Sequence, residues 1–291
     1  MIRARAFAKI NWALDILATH ENGYHEMDML MQSISLCDTL TFEEADEIIF
    51  TVSGEADPDA ERNLVVRAAK LLQKETGCTK GAKIDLVKRT PAMAGLGGGS
   101  GDCAAAFRAL NELWNLGLSV KRLTELGFSL GADVAFCMDG GLQRVRGLGE
   151  RLEQLTACGT PEMLLVMPDG GLSTGAVFGG YDRMERTMPR VDMERAQDAL
   201  VRGDYAALNE CAANALTPPA MQASAAVGPA IEEMYRQGAL MARMSGSGSA
   251  VFGVFRDADE ADRAQRALSG KYAFCERITT SPVGVELGEM A

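Results

Sequence analysis

The stretch Pro91-Ala92-Met93-Ala94-Gly95-Leu96-Gly97-Gly98-Gly99-Ser100-Gly101-Asp102 has the residue types and spacing best suited to chemistry in this 291-residue chain. Glycines reach backbone angles closed to other residues, and without a Cβ they let several N–H groups converge on one anion. A helix starting there adds the positive end of its dipole. That helix is readable: from Cys103 to Trp114 the apolar residues Ala106, Phe107, Leu110, Leu113 and Trp114 recur at steps of three and four, and Ser100 or Asp102 is expected to cap the first turn. The run therefore reads as a phosphate cradle, with a ligand-free Gly/Ser connector as the rival reading.

Two better-known phosphate loops do not fit. A Walker loop needs Lys and then Ser or Thr after its last glycine, whereas Gly99 is followed by Ser100 and Gly101. A dinucleotide fingerprint needs a glycine where Ser100 stands, in an N-terminal βαβ unit far from this position. The cation for a phosphate must come from elsewhere in the chain. Lys83, Lys88 and Arg89 precede the loop, and Arg3, Arg5 and Lys9 open the sequence.

The elements that must position the loop follow from periodicity. A strand is expected from Arg3 to Leu17, a turn at Glu21-Asn22-Gly23, strands over Met29 to Phe42 and Ile48 to Ser53, a helix from Asn63 to Thr76, and a strand from Ala82 to Lys88. After the loop helix come a helix from Ser119 to Leu130, the tripeptide Gly131-Ala132-Asp133, and strands at Val134 to Cys137 and Gly141 to Gly147. The pattern changes between 151 and 162, and Met163 to Met167 reads as a buried strand ended by Pro168-Asp169-Gly170, so a domain boundary is expected there. Beyond it lie helices at 192–202, 204–214 and 220–237, a strand at Met241 to Met244, and the run Ser245-Gly246-Ser247-Gly248-Ser249. A strand from Ala250 to Phe255, a helix from Asp259 to Leu268 and a strand from Ala273 to Val283 complete the pattern.

Composition narrows the function classes. With 47% hydrophobic residues the chain can fill two cores, as expected of an α/β or α+β enzyme. No apolar run approaches the length of a membrane span, and the charged opening segment does not resemble a signal peptide, so a cytoplasmic protein without a membrane partner is expected. Seven scattered cysteines without a Cys-x-x-Cys, and only two histidines, His20 and His25, point to reduced thiols and no zinc site. A net charge of −11 argues against a nucleic-acid partner, which would need a basic face.

Taken together, Lys9 with Asn11, the segment Pro91 to Ser100, and Met244-Ser245-Gly246-Ser247-Gly248 resemble the GHMP kinases in order and spacing. These are small-molecule kinases named for galactose, homoserine, mevalonate and phosphomevalonate. The resemblance runs over nearly the whole chain. It implies an α+β, two-domain fold: a ribosomal protein S5 domain 2-like, ATP-binding domain over 1–155 and a ferredoxin-like domain over 156–291. Ala8-Lys9-Ile10-Asn11 with Asn22-Gly23-Tyr24-His25, and Gly131-Ala132-Asp133-Val134 with Gly147-Leu148-Gly149-Glu150, are similar to one branch of that family. Its members use ATP to phosphorylate the 2-hydroxyl of a cytidine diphosphate-linked methylerythritol.

The resemblance implies a role for each matched residue. Asp133 accepts the proton of the attacking hydroxyl, and Lys9 stands between that carboxylate and the charge developing on the phosphoryl group. Tyr24, His25 and, opposite them, Phe178 form the cytidine pocket, while Asn11 and Thr174 bond the methylerythritol hydroxyls or the diphosphate. Gly95, Leu96, Gly97, Gly98, Gly99 and Ser100 wrap the ATP phosphates, Mg²⁺ bridges their oxygens near Ser100 without a dedicated protein site, and Asn63, Leu64 and Lys88 flank the adenine. A monomer or weak homodimer is implied. Two alternatives remain open: a kinase of the same fold for homoserine or a phosphomevalonate-type alcohol, and a family member that binds ligand without catalysis. The sequence also departs from the family pattern. Gly101 stands where a second serine is usual, Cys103 where alanine is usual, and Ser249 where alanine is commoner; the missing hydroxyl at 101 puts a phosphate contact in doubt.

Overall fold

The computed structural model describes residues 1–21, 23–54, 59–156, 158–168, 170–185 and 189–289 of the chain. Asn22 of the expected turn and Asp169 of the expected strand stop lie outside them.

Two long antiparallel strands, β1 (Ile2–Thr19) and β2 (His25–Ala45), are the spine of the first sheet. The start of β1 alternates as a half-buried strand does, with Arg3 and Arg5 outward and Ala4 and Ala6 inward. From Ala6 to Ile16 every residue is buried, because here the strand serves two cores. Ala4, Ala6, Leu14 and Ile16 pack with Phe42 and Phe107, whereas Ala8, Ile10 and Trp12 pack with Leu165 and Phe252. Trp12 meets Phe252 edge-on, with ring centres 5.3 Å apart. The pairing with β2 slips between Phe7 and Lys9, between Asn11 and Ala13, and between Ile16 and Ala18. Such irregularities bend a strand and re-aim its side chains. Lys9 and Asn11 sit between the first two.

β3 (Ile48–Ser53) and β4 (Gly81–Val87) run parallel, joined through helix α1 (Leu64–Thr76), and β4 pairs with the later half of β2. Helices α2 (Gly98–Leu113), α3 (Val120–Phe128) and α4 (Ala132–Asp139) follow, with α2 laid on β1 and β2; then β5 (Leu142–Gly147) pairs with the earlier half of β2 and with β6 (Arg151–Leu155). The second sheet begins at β7 (Glu162–Met167). Helices α5 (Thr174–Arg183), α6 (Met193–Arg202), α7 (Tyr205–Cys211), α8 (Thr217–Ala223) and α9 (Val227–Arg236) lead to β8 (Met241–Met244), β9 (Val251–Phe255), α10 (Ala258–Leu268) and β10 (Phe274–Ile278). Its strands lie in the order β10-β7-β9-β8, all antiparallel. β11 (Val285–Glu289) then returns to the first sheet and pairs with the first residues of β1. The fold is thus α+β, but its two sheets are not separated by one cut near residue 155.

Several elements differ from the sequence expectation, each for a physical reason. Val134 to Cys137, expected as a strand, lies inside α4, where Val134 to Met138 are all buried. A four-residue apolar run fits either state, and its residues alone show no helical period. The helix expected over 220–237 is two, α8 and α9, separated where the Ser224 hydroxyl accepts the Ala226 N–H at 3.3 Å. α7 stops at Cys211 because Ala213 is taken by the sheet, its carbonyl accepting the Leu14 N–H at 2.9 Å. The last expected strand, 273–283, is β10 only as far as Ile278. α5, β6 and β11 were not anticipated.

Candidate active site

The glycine loop enters α2 without a side-chain cap. Gly97 holds the N-cap position at φ 66°, in the left-handed region, so Ser100 and Asp102 lie inside the helix rather than capping it. The first bond closing the helix runs from Gly101 N–H to the Gly97 carbonyl at 2.9 Å, which leaves the N–H groups of Gly98, Gly99 and Ser100 ahead of it. This is the arrangement an anion needs at a helix N-terminus. Gly97 also gives passage to Lys9: a Cβ there would lie 2.9 Å from Lys9 Cγ.

Lys9 and Asp133 meet over this loop. Lys9 is 4% exposed, and its Nζ donates to Asn11 Oδ1 at 2.8 Å and lies 3.5 Å from Asp133 Oδ2. Asp133 stands in the first turn of α4, whose positive end favours a carboxylate. The Lys9 backbone N–H bonds the Leu96 carbonyl at 2.9 Å, tying the strand to the loop itself. The cation absent from the loop is therefore supplied by β1.

The Ser/Gly run at 245–249 docks backbone to backbone against the loop. Ser245 Oγ donates to the Gly95 carbonyl at 2.9 Å, and the Ala250 N–H bonds the Ala94 carbonyl at 3.1 Å. Gly95, at φ 74°, permits this approach, since a Cβ there would come within 2.1 Å of the Ser245 carbonyl oxygen. Buried Asn214 holds the run from behind, its Nδ2 donating to the carbonyls of Met244 at 2.9 Å and Gly246 at 2.8 Å. Ser247 reaches Thr174 on α5, hydroxyl to hydroxyl, at 2.9 Å.

Below the loop lies a buried ionic triad. Lys88 Nζ bonds Asp38 Oδ2 at 2.5 Å and Asp102 Oδ2 at 2.8 Å, while Asp38 Oδ1 accepts the backbone N–H groups of Arg89 at 2.6 Å and Thr90 at 2.8 Å. The triad fixes the segment between β4 and the loop to β2 and α2. Burial, together with the neighbouring charge of Asp38, raises the Asp102 carboxyl to about 7 despite Lys88. Two backbone N–H groups and the Lys88 ammonium all point at Asp38. Among the described residues, Asp102 Oδ1 and Thr90 Oγ1 are buried without a hydrogen-bond partner.

A cleft of about 580 Å³, within the usual size of a small-ligand site, gathers most of the expected residues. Lys9, Asn11, Asn63, Leu64, Lys88, Asp133, Thr174, Phe178 and each residue from Gly95 to Ser100 line it. Two of them carry structural duties. Asn63 caps α1, its Oδ1 accepting the Val65 N–H at 2.9 Å, and the Lys88 ammonium is turned under the loop rather than outward. Tyr24 and His25 are not part of this lining. They lie past Phe178, whose ring centre is 4.7 Å from that of His25, and Tyr24 is exposed beside the β1–β2 turn. Gly101 also differs from expectation. A Cβ there would face the Phe7 carbonyl oxygen at 3.1 Å and not the cleft, so a serine hydroxyl at this position would address β1, not phosphate.

Sequence reading missed Asp38, Thr90 and Asp182; it gave Asp102 only as a helix cap and Ser247 only as part of the Ser/Gly run. Asp38 had a signal, a carboxylate set among Leu36, Cys37 and Leu40 in a buried stretch of β2, which has to find partners. Among the described residues no three His, Cys, Asp or Glu side chains gather as a metal site, and no helix is long and apolar enough to cross a membrane.

Comparison with known proteins agrees with this geometry. Residues 63–141 match the family model of the GHMP kinases N terminal domain, and residues 196–273 that of the GHMP kinases C terminal domain. A 4-diphosphocytidyl-2-C-methyl-D-erythritol kinase of Pelotomaculum thermopropionicum is 43% identical, with 94% of each chain covered. The enzyme of the same name from Caldanaerobacter subterraneus subsp. tengcongensis is 37% identical over 98% of this chain and 99% of its own. A crystal structure of 4-(cytidine 5'-diphospho)-2C-methyl-D-erythritol kinase superposes with a TM-score of 0.81 at 33% identity, covering 97% of this chain and 99% of the other. Homoserine kinase from Cytophaga hutchinsonii shares the fold, with a TM-score of 0.74 at 19% identity, covering 98% and 96%.

Proposed function

This chain belongs to the GHMP kinases, alongside the 4-diphosphocytidyl-2-C-methyl-D-erythritol kinases, and from that premise we propose how it transfers the γ-phosphoryl group of ATP to the 2-hydroxyl of 4-diphosphocytidyl-2-C-methyl-D-erythritol. The observation that carries the reading is the Lys9–Asp133 pair, 3.5 Å apart, standing over the N-terminus of α2 in one cleft.

The triphosphate lies along Gly95 to Ser100, where unbonded N–H groups and the dipole of α2 receive its charge. The Ser100 hydroxyl would stand beside a Mg²⁺ arriving with ATP, which when bound would neutralise part of the phosphate charge. The substrate hydroxyl faces Asp133. Its proton passes to the carboxylate as its oxygen bonds the γ-phosphorus, and the bond to the β,γ-bridging oxygen breaks with its electron pair leaving on ADP. Lys9, held in place by Asn11, meets the charge on the transferred group. Because Lys9 is buried and already oriented, little reorganisation is needed at that moment. Thr174 and Phe178 carry the substrate toward Tyr24 and His25, where aromatic faces take the cytosine. A homoserine or mevalonate-type substrate has no use for that aromatic end, which favours the cytidine reading. ATP and a nucleoside diphosphate conjugate as substrates fit a cytoplasmic reaction.

Purified protein with MgATP and the substrate is expected to release ADP and the 2-phosphate in equal amounts. Folded protein that releases neither, or that accepts homoserine as readily, would contradict the proposal.

A further inference from the structure

We propose that Asp182 is a positioning residue that fixes His25 to read the exocyclic amine of cytosine, and so sets base specificity; this rests on the cytidine reading of that end of the cleft. Thr174, Phe178 and Asp182 follow at steps of four along α5 and therefore share one face. The first two line the cleft, and the third continues the same face to His25.

Asp182 Oδ1 lies 2.7 Å from His25 Nε2. Phe178 packs on the imidazole at a ring-centre distance of 4.7 Å, and Tyr181 meets it edge-on at 6.1 Å. The ring is thus held from several sides and is 8% exposed, whereas Asp182 remains 40% exposed. An ionised carboxylate only accepts, so Nε2 must carry the hydrogen. In the neutral ring Nδ1 is then an acceptor, and it has no hydrogen-bond partner among the described residues. An acceptor matches the amino group at C4 of cytosine and opposes the carbonyl that uracil carries there. The other tautomer would reverse that preference.

α5 has glycine at 175, 179 and 180, which weakens it as an isolated helix, and only Val177 of its residues is fully buried. Its position relies on ties such as Asp182 to His25 and Thr174 to Ser247. A pair with one half-exposed member adds little to global stability, so Asp182→Ala should fold.

The test combines tautomer and selectivity. With two histidines in the chain, ¹⁵N NMR of wild type and His20→Gln identifies the imidazole nitrogens of His25. Wild type is expected to hold the Nε2–H tautomer and to bind CDP over UDP. Asp182→Ala should mix the tautomers, lower the CDP-to-UDP preference about tenfold and raise KM for the cytidine substrate about tenfold, with kcat and KM for ATP within about twofold. Asp182→Asn, which retains an acceptor oxygen, should recover most of the loss. An unchanged tautomer, or a CDP preference that survives Asp182→Ala, would overturn the role of Asp182. Wild type with the expected tautomer but no preference for CDP would instead contradict the cytidine reading.

Discussion

Lys9 Nζ lies 3.5 Å from Asp133 Oδ2, although one residue comes from the middle of β1 and the other from the first turn of α4. The pair forms because irregular pairing of β1 with β2 around residues 8 and 12 aims Lys9 and Asn11 together at the helix that carries Asp133. Replacing Asp133 by Asn preserves shape and removes the proton acceptor. It should lower kcat by about 10²- to 10⁴-fold while ATP binding, read by nucleotide titration, stays within a few-fold. An equal loss of ATP affinity would assign Asp133 to binding instead.

Lys88→Met should destabilise the protein by about 3–5 kcal/mol, since it strands buried Asp38 and Asp102 without their cation. Urea unfolding followed by circular dichroism measures this. A loss below about 1 kcal/mol would mean that the triad behaves as an exposed ion pair does.

The same triad makes stability depend on pH in a direction unusual for an aspartate. The folded Asp102 carboxyl titrates at about 7, above its ordinary 3.8. Between those values the folded chain holds a proton that the unfolded chain has released, so stability falls as pH rises from about 4 to about 7. One such proton gives a slope of at most about 1.4 kcal/mol per pH unit. Asp102→Asn should flatten the slope across that window in urea titrations at fixed salt, and an unaltered profile would contradict the assignment.

Two glycines of the loop should respond to very different extents. Gly95→Ala drives a Cβ into the Ser245 carbonyl at 2.1 Å from a left-handed backbone, so KM for ATP should rise at least about tenfold as the loop and the Ser/Gly run part. Gly101→Ser points toward the Phe7 carbonyl, away from the cleft, and should change KM for ATP by less than about threefold. Steady-state kinetics on the two variants decide this.

Local pattern made the loop, the helix after it, and the spine strands readable, and motif order made Lys9 and Asp133 readable. What remained hidden depended on distance or on missing propensity. β11 is five residues long and finds its partner at the opposite end of the chain, a pairing that no local period announces. α5 carries three glycines and so shows no helical preference, which concealed that Asp182 shares a face with Thr174 and Phe178. The run Val134 to Met138 inside α4 is wholly apolar and buried, so its pattern fits a strand as well as a helix. Asn63 and Lys88 were placed near ATP, and the structure adds why each is needed regardless of ligand: one caps α1, the other neutralises two buried carboxylates.

The most direct measurement is ³¹P NMR of wild-type protein with MgATP and 4-diphosphocytidyl-2-C-methyl-D-erythritol, run beside Asp133→Asn. Wild type should produce ADP and a new phosphomonoester resonance coupled to the 2-position carbon, in equal amounts, and Asp133→Asn should leave the spectrum nearly unchanged over the same time. A wild-type spectrum without the phosphomonoester, or an Asp133→Asn spectrum equal to that of wild type, would contradict phosphoryl transfer by the Lys9–Asp133 pair.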